Sequence, residues 1–309
     1  MLAINNLTKR FGRYTVLDSL NLNIKEREIY GFVGPNGAGK TTTMKICAGL
    51  LKADSGEVWV DGVNALENSR ELKKKIGYMP DFFGVYDNLK AIEYMEFYAS
   101  IYGINGKGAR KLCMELLETV QLKEQYDSYV DTMSRGMKQR LCLARCLVHG
   151  PKLLILDEPA SGLDPRARVL MKDILKQLSG EGKTILISSH ILPELVQICT
   201  HAGIIEKGKL VMSGSMEEIT SARGNARPIV LKMVDNQETT IRIIKENPYT
   251  RKITILDNVV TLLFSGKEED EAALLGSIIQ AGGIISSFSR EESSLETLFL
   301  QITHEEEKG

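Results

Sequence analysis

The chain is short of the residues that would point to several familiar protein classes. It has five cysteines in 309 residues, at positions 47, 113, 142, 146 and 199, an odd number with no C-x-x-C pair. That spacing indicates neither a disulfide framework nor a zinc site. Cys142 and Cys146 share a helical face, but two thiols without a third ligand read as small buried apolar residues. Neither sign of charge is in excess: 39 Lys and Arg face 40 Asp and Glu for a net −1, so no global field argues for nucleic acid. No apolar run approaches the ~20 residues of a membrane helix. The opening MLAINNLTKR lacks the basic-then-apolar layout of a secretory signal. The expectation is a cytoplasmic protein with no membrane span of its own. With 43% apolar and 26% charged residues, the chain suits a globular protein long enough for two domains.

What is present is organised around one loop. Gly34, Pro35, Asn36, Gly37, Ala38, Gly39, Lys40, Thr41 and Thr42 follow the apolar run Ile29–Val33 and precede a helical pattern at Met44, Ile46, Cys47, Leu50 and Leu51. Strand, glycine loop and helix form the context of a phosphate-binding P-loop. A triphosphate must be wrapped by backbone N–H groups at close range, which requires positions without bulky side chains. All nine loop residues are therefore candidate nucleotide-binding positions. Lys40 is assigned to the β and γ phosphates, Thr41 offers a hydroxyl to Mg²⁺, and the helix start adds its unpaired N–H groups.

Ahead of the loop, residues 2–29 read as an antiparallel strand pair turning at Phe11-Gly12-Arg13, with further β structure at Gly56–Val60 and Ile76–Met79. A helical insert is expected over about 81–150, with an aromatic cluster from Phe82, Phe83 and Tyr86 to Tyr94, Phe97, Tyr98 and Tyr102. Ordinary packing of the insert accounts for most of these rings. Two all-apolar strands follow, Leu153–Leu156 ending in Asp157-Glu158-Pro159 and Thr184–Ile187 ending in Ser188-Ser189-His190, with a helix from about Pro165 between them. Strands buried on both faces and alternating with helices mean a parallel α/β sheet, whose carboxyl ends bind ligands. A linker at Ser221–Pro228 suggests domains at 1–223 and 224–309. The second has the order βαββαβ of ferredoxin-like α+β domains. A last helix starts from Leu295, with Ser293 and Glu296 spaced as a capping box.

The chemistry rests on paired acids. Asp157 suits a carboxylate that holds the Mg²⁺ water shell, and Glu158 is placed to polarise a water against the γ phosphate. His190, at a strand end, is a candidate donor to that phosphate, although a lone histidine there is more often structural.

These features together resemble the ATP-binding subunit of ATP-binding cassette (ABC) transporters over residues 2–220. Met133-Ser134-Arg135-Gly136-Met137 with Lys138-Gln139-Arg140-Leu141 looks like the signature helix start, Ser161–Asp164 like the D-loop, and Ser189-His190 like the switch histidine loop. The resemblance implies a P-loop ABC ATPase cassette binding ATP and Mg²⁺, with Phe11, or its neighbour Tyr14, stacking on adenine. It also implies a head-to-tail homodimer or heterodimer in which Ser134 and Gly136 close over the partner's ATP. The C-terminal block is similar to the extension on subunits of ABC-2 type exporters, which implies a separate membrane permease and ATP-driven export. The resemblance also implies that the segment Phe82 to Tyr102 receives a helix of that permease, with only Phe82, Phe83 and Tyr86 facing it. Two positions depart from the family's pattern. Asp81 stands where glutamine is usual, as a candidate metal ligand, and Arg135 and Met137 replace a glycine and a glutamine. Two rival readings remain at this level, a soluble cassette ATPase acting on ribosomes or DNA and a nucleotide sensor that barely hydrolyses. Against the first stand the single cassette, the lack of heptads and the net charge.

Overall fold

The computed structural model describes residues 1–82, 84, 88–191, 195–221, 228–235 and 237–290. Phe83, Tyr86, most of the expected linker and the expected last helix from Leu295 lie outside them. The chain divides into two compact units, Met1–Met216 and Glu217–Gly309, a division a few residues ahead of position 224.

The first unit begins with β1 (Leu2–Phe11) and β2 (Tyr14–Ile24), an antiparallel pair closed by the Gly12-Arg13 turn. With β4 (Ser55–Val60) and β5 (Val63–Asn64) they form a four-stranded sheet in the order β2-β1-β4-β5. Its inward residues alternate as a sheet with one wet face requires: Leu2, Ile4, Leu20, Leu22, Val58 and Val60 are all buried. Burial of each such side chain is worth about 1.5–3 kcal/mol.

The second sheet has the order β10-β9-β3-β8-β7-β6. Here β3 (Ile29–Val33), β7 (Leu153–Leu156) and β8 (Thr184–Ser189) are buried along their whole length, because helices and the first sheet cover both faces. β6 is Ile76–Met79, and β9 (His201–Glu206) with β10 (Lys209–Ser215) makes the edge hairpin. The pairs β3–β8, β8–β7, β7–β6 and β3–β9 are parallel. One core joins the two sheets around α1 (Lys40–Cys47), with Met44 and Ile46 packed among Phe32, Ile155 and Val60. The short α2 spans Ser69–Lys75.

The helical insert comprises α3 (Ala91–Ile101), α4 (Gly106–Thr119) and α5 (Arg135–Leu147). Among its described rings Tyr94 is buried, whereas Phe82, Phe97 and Tyr102 are exposed. Phe97 lies on the side of α3 turned from the core, whereas Tyr102, just past the helix, stacks on His149 with ring centroids 4.2 Å apart. α6 (Pro165–Gly180) starts on an N-cap aspartate, Asp164 Oδ1 accepting from Ala167 N at 2.9 Å, with Pro165 in the first turn, where no N–H is needed. α7 is Met216–Ser221.

The second unit runs β11 (Pro228–Asp235), α8 (Gln237–Glu246), β12 (Thr250–Leu256), β13 (Val259–Phe264), α9 (Glu268–Gln280) and β14 (Ile284–Arg290). The sheet order β12-β13-β11-β14, antiparallel throughout, is that of a split βαβ arrangement. It has its own core, built on Ile229, Leu231, Met233, Ile244, Leu262 and Phe264. Among the described residues no helix is long and apolar enough to cross a membrane.

Separate cores predict separable folding. A chain ending at residue 223 should fold cooperatively and bind ATP with unchanged affinity by calorimetry, since every candidate phosphate contact precedes that point. A soluble, compact fragment that does not bind nucleotide would disprove it.

Candidate active site

The loop after β3 carries the close approach that the sequence suggested. A Cβ on Gly34 would come 2.4 Å from Ile205 O, so no larger residue fits there. Gly39, the N-cap of α1, has φ +109°, a backbone setting that L side chains rarely adopt. No side chain caps α1, which leaves its first-turn N–H groups for an incoming anion. Gly34, Ala38, Gly39 and Lys40 are buried, Pro35 and Thr42 are partly covered, and Asn36, Gly37 and Thr41 face solvent. Lys40 Nζ donates to Gly34 O at 2.5 Å and to Pro35 O at 3.2 Å. Burial lowers its pKa, and the nearby Glu158 and Asp157 charges oppose that shift.

The acid pair lies at the carboxyl end of β7 and is held by a residue whose role the sequence did not reveal. Ser188 Oγ donates to Asp157 Oδ1 at 2.6 Å and accepts from Glu158 N at 2.9 Å, so one hydroxyl fixes both neighbours. Asp157 is buried, and its Oδ2 has no partner. An orphaned buried carboxylate oxygen beside the phosphate loop is costly, and it is the donor that a hard divalent cation takes. These residues therefore fit Mg²⁺. Glu158 has φ +50°, a left-handed setting of the kind that clusters at functional sites. Its Oε2 lies 3.0 Å from His190 Nδ1. Asp81, two residues past β6, is solvent-exposed.

Ser134 caps α5, its Oγ accepting from Met137 N at 3.3 Å, and its own side chain is exposed. Gly136 is buried against α6, where an added Cβ would meet Ala167 Cβ at 3.1 Å. The Arg135 guanidinium rests on the D-loop of its own chain: a Cβ on Gly162 would come 2.5 Å from Arg135 Cζ. Buried Gln139 donates Nε2–H to Ser161 O at 3.2 Å. The signature helix and the D-loop are thus joined within one subunit, a link that no local pattern encodes. Phe11 is 49% exposed beneath the Lys9 ammonium at 5.3 Å from the ring centroid, and Tyr14 is 80% exposed beside it in the hairpin. Both rings are open to stacking.

A glycine loop opening a helix, a histidine after the neighbouring parallel strand and an acid pair after the next define a P-loop ATPase of the cassette type. Residues 17–161 match the ABC transporter family. The linearmycin resistance ATP-binding protein LnrL of Bacillus subtilis (strain 168) is 32% identical over 305 residues, 98% of each chain. The bacitracin transport ATP-binding protein BcrA of Bacillus licheniformis is 44% identical over 212 residues, 68% of each chain. Among solved structures, the dimeric post-hydrolysis state of the ATP-binding cassette MJ0796 bound to ADP and Pi superposes with a TM-score of 0.64 at 27% identity. That superposition covers 70% of this chain and 99% of the other. The chain belongs to the ABC transporter ATP-binding proteins. It is an ATPase subunit of a transporter, and its relatives include proteins named for export.

Two substitutions separate binding from chemistry. Lys40→Ala should abolish tight Mg-ATP binding in a fluorescent-nucleotide titration. Glu158→Gln should keep that affinity and slow turnover by about 10²–10⁴, the usual contribution of a general base. Ser188→Ala should cost about 1–3 kcal/mol in denaturant unfolding, because it leaves a second buried Asp157 oxygen unpaired. It should lower kcat more than it raises KM.

Proposed function

We propose that this chain powers export through a separate ABC-2 type membrane permease, working as a head-to-tail pair of nucleotide-binding subunits on the cytoplasmic face of the membrane. The observation that carries the pairing is the position of Ser134. This signature serine sits exposed at the start of α5, available to a nucleotide held by another subunit. The match to LnrL along 98% of both chains takes in the second unit, and BcrA and Nod factor export ATP-binding protein I are named for transport and export.

In this reading Gly34–Thr42 and α1 hold the phosphates, and Phe11 or Tyr14 stacks on the base. Thr41 and Asp157, with Asp81 nearby, would hold Mg²⁺, which when bound offsets the charge of the β and γ phosphates. Glu158 accepts a proton from the attacking water as its oxygen bonds to the γ phosphorus and the bond to the β-phosphate oxygen breaks. His190 orients Glu158 through Nδ1. A neutral ring that gives its Nδ1 proton to Glu158 has none on Nε2, so His190 reaches the γ phosphate as a donor only as the imidazolium. Ser134 and Gly136 of the second subunit complete the enclosure, so loss of the γ phosphate weakens the dimer and releases the attached permease.

Loaded with ATP, Glu158→Gln protein should sediment as a dimer and return to monomer when Ser134 is also replaced by Arg. Material that stays monomeric with ATP at high concentration would overturn the paired arrangement.

A further inference from the structure

The Asp157 carboxylate is braced from one side only. On the β8 side, Ser188 Oγ donates to Oδ1 at 2.6 Å. On the β6 side, Asp157 N donates to Met79 O at 2.9 Å, a bond that holds the main chain and leaves the carboxylate untouched. Pro80, the next residue along that side, has neither an N–H nor a polar side chain. Lys40 Nζ is engaged with the carbonyls of Gly34 and Pro35.

The donor available on the β6 side is Tyr78. It lies opposite Ile155 in the parallel register of β6 and β7, and strand alternation puts Ile155 and Asp157 on one face of the sheet. Tyr78 packs against the core that contains Ile155 and the inward residues of α1, so this face is the one from which the phosphate-loop helix rises. Diagonal neighbours on adjacent strands are about 8 Å apart at Cα, a span that a tyrosine side chain covers.

Tyr78 Oη is buried and, like Asp157 Oδ2, has no hydrogen-bond partner among the described residues. Burial raises the pKa of the phenol, and the charges of Asp157 and Asp81 raise it further, so the hydroxyl keeps its proton. Of these two carboxylates, Asp81 is exposed to water and Asp157 is not. A buried donor without an acceptor therefore shares one face with a buried acceptor without a donor, and a single hydrogen bond between them satisfies both.

We propose that Tyr78 is a positioning residue for the metal, its hydroxyl donating to Asp157 Oδ2 when Mg-ATP is held. Ser188 and Tyr78 then grip the carboxylate from opposite strands and fix how it faces the cation, the role that hydrogen-bonded partners of carboxylate ligands fill in metal sites. This rests on the reading that Asp157 holds Mg²⁺, and it adds a residue that acts only through Asp157.

The test measures the affinity of the full chain for a fluorescent, non-hydrolysable ATP analogue, first in EDTA and then with Mg²⁺. The ratio of the two affinities is the gain due to the metal. In Tyr78→Phe, which keeps the ring, that gain should fall about tenfold, the lower end of what such outer partners contribute. Affinity in EDTA and the melting temperature of the nucleotide-free protein should stay as in the unsubstituted chain. In an Asp157→Asn background, Tyr78→Phe should have no further effect, because the group it acts through is gone. An undiminished gain in Tyr78→Phe, an equal loss with and without Mg²⁺, or a further loss in the Asp157→Asn background would each overturn the proposal. An unsubstituted chain that gains nothing from Mg²⁺ would overturn the metal assignment itself, whereas a gain that survives Tyr78→Phe removes only the role of Tyr78.

Discussion

The parallel register of β3, β8, β7 and β6 is the constraint on which the site depends. Val33 lies beside Ser189, Leu156 beside Ile187, and Met79 beside Leu156, so the four strands finish along one edge of the sheet. The phosphate loop, the acid pair, the serine that ties the pair, the histidine and Asp81 all follow from those strand ends. A slip of one residue between β7 and β8 would turn inward side chains to the other face and carry Asp157 away from Ser188. The all-apolar faces of these strands hold the register, since each is buried on both sides and has no solvent face to which a slip is tolerable. Hydrophobic burial far from any charged group therefore places the charged groups.

The same physics explains what was legible in the sequence. The glycine loop, the acid pair and the helix starts are local: each is a run of adjacent residues whose types answer to one local demand, such as close backbone approach at Gly34 or the N-cap at Asp164. The strands of both units were legible because alternation and continuous apolar runs repeat over several residues. Ser188 was visible as a polar strand end, but its bond to Asp157 spans 31 positions and arises only when β7 and β8 pair. The seat of Arg135 on Gly162 and the bond from Gln139 to Ser161 are hidden for the same reason. The positive φ of Glu158 has no signature at all, because glutamate carries no preference for it. The rings of α3 look alike in sequence, and only the position of the core separates buried Tyr94 from exposed Phe97.

Two elements frame the active site. β6 carries Tyr78 and leads within three residues to Asp81. α5 begins next to the Ser134 cap and ends at Leu147, with Arg145 in its last turn and His149 just beyond. Cys146 Sγ also bonds to the Tyr78 carbonyl at 3.2 Å, which stitches the end of α5 to β6. α5 has neither glycine nor proline past Gly136, so nothing along it is built to absorb a displacement.

α5 is 13 residues long, and at 1.5 Å per residue that makes a rod of about 20 Å. A rod of that length, pivoting at its Leu147 end by about 5°, sweeps its far tip through roughly 1.7 Å. Hydrogen bonds weaken steeply over such a distance. A tilt too small to disturb the packing at the Leu147 end is therefore geared up, at the Ser134 end, into the difference between a bond made and a bond missed.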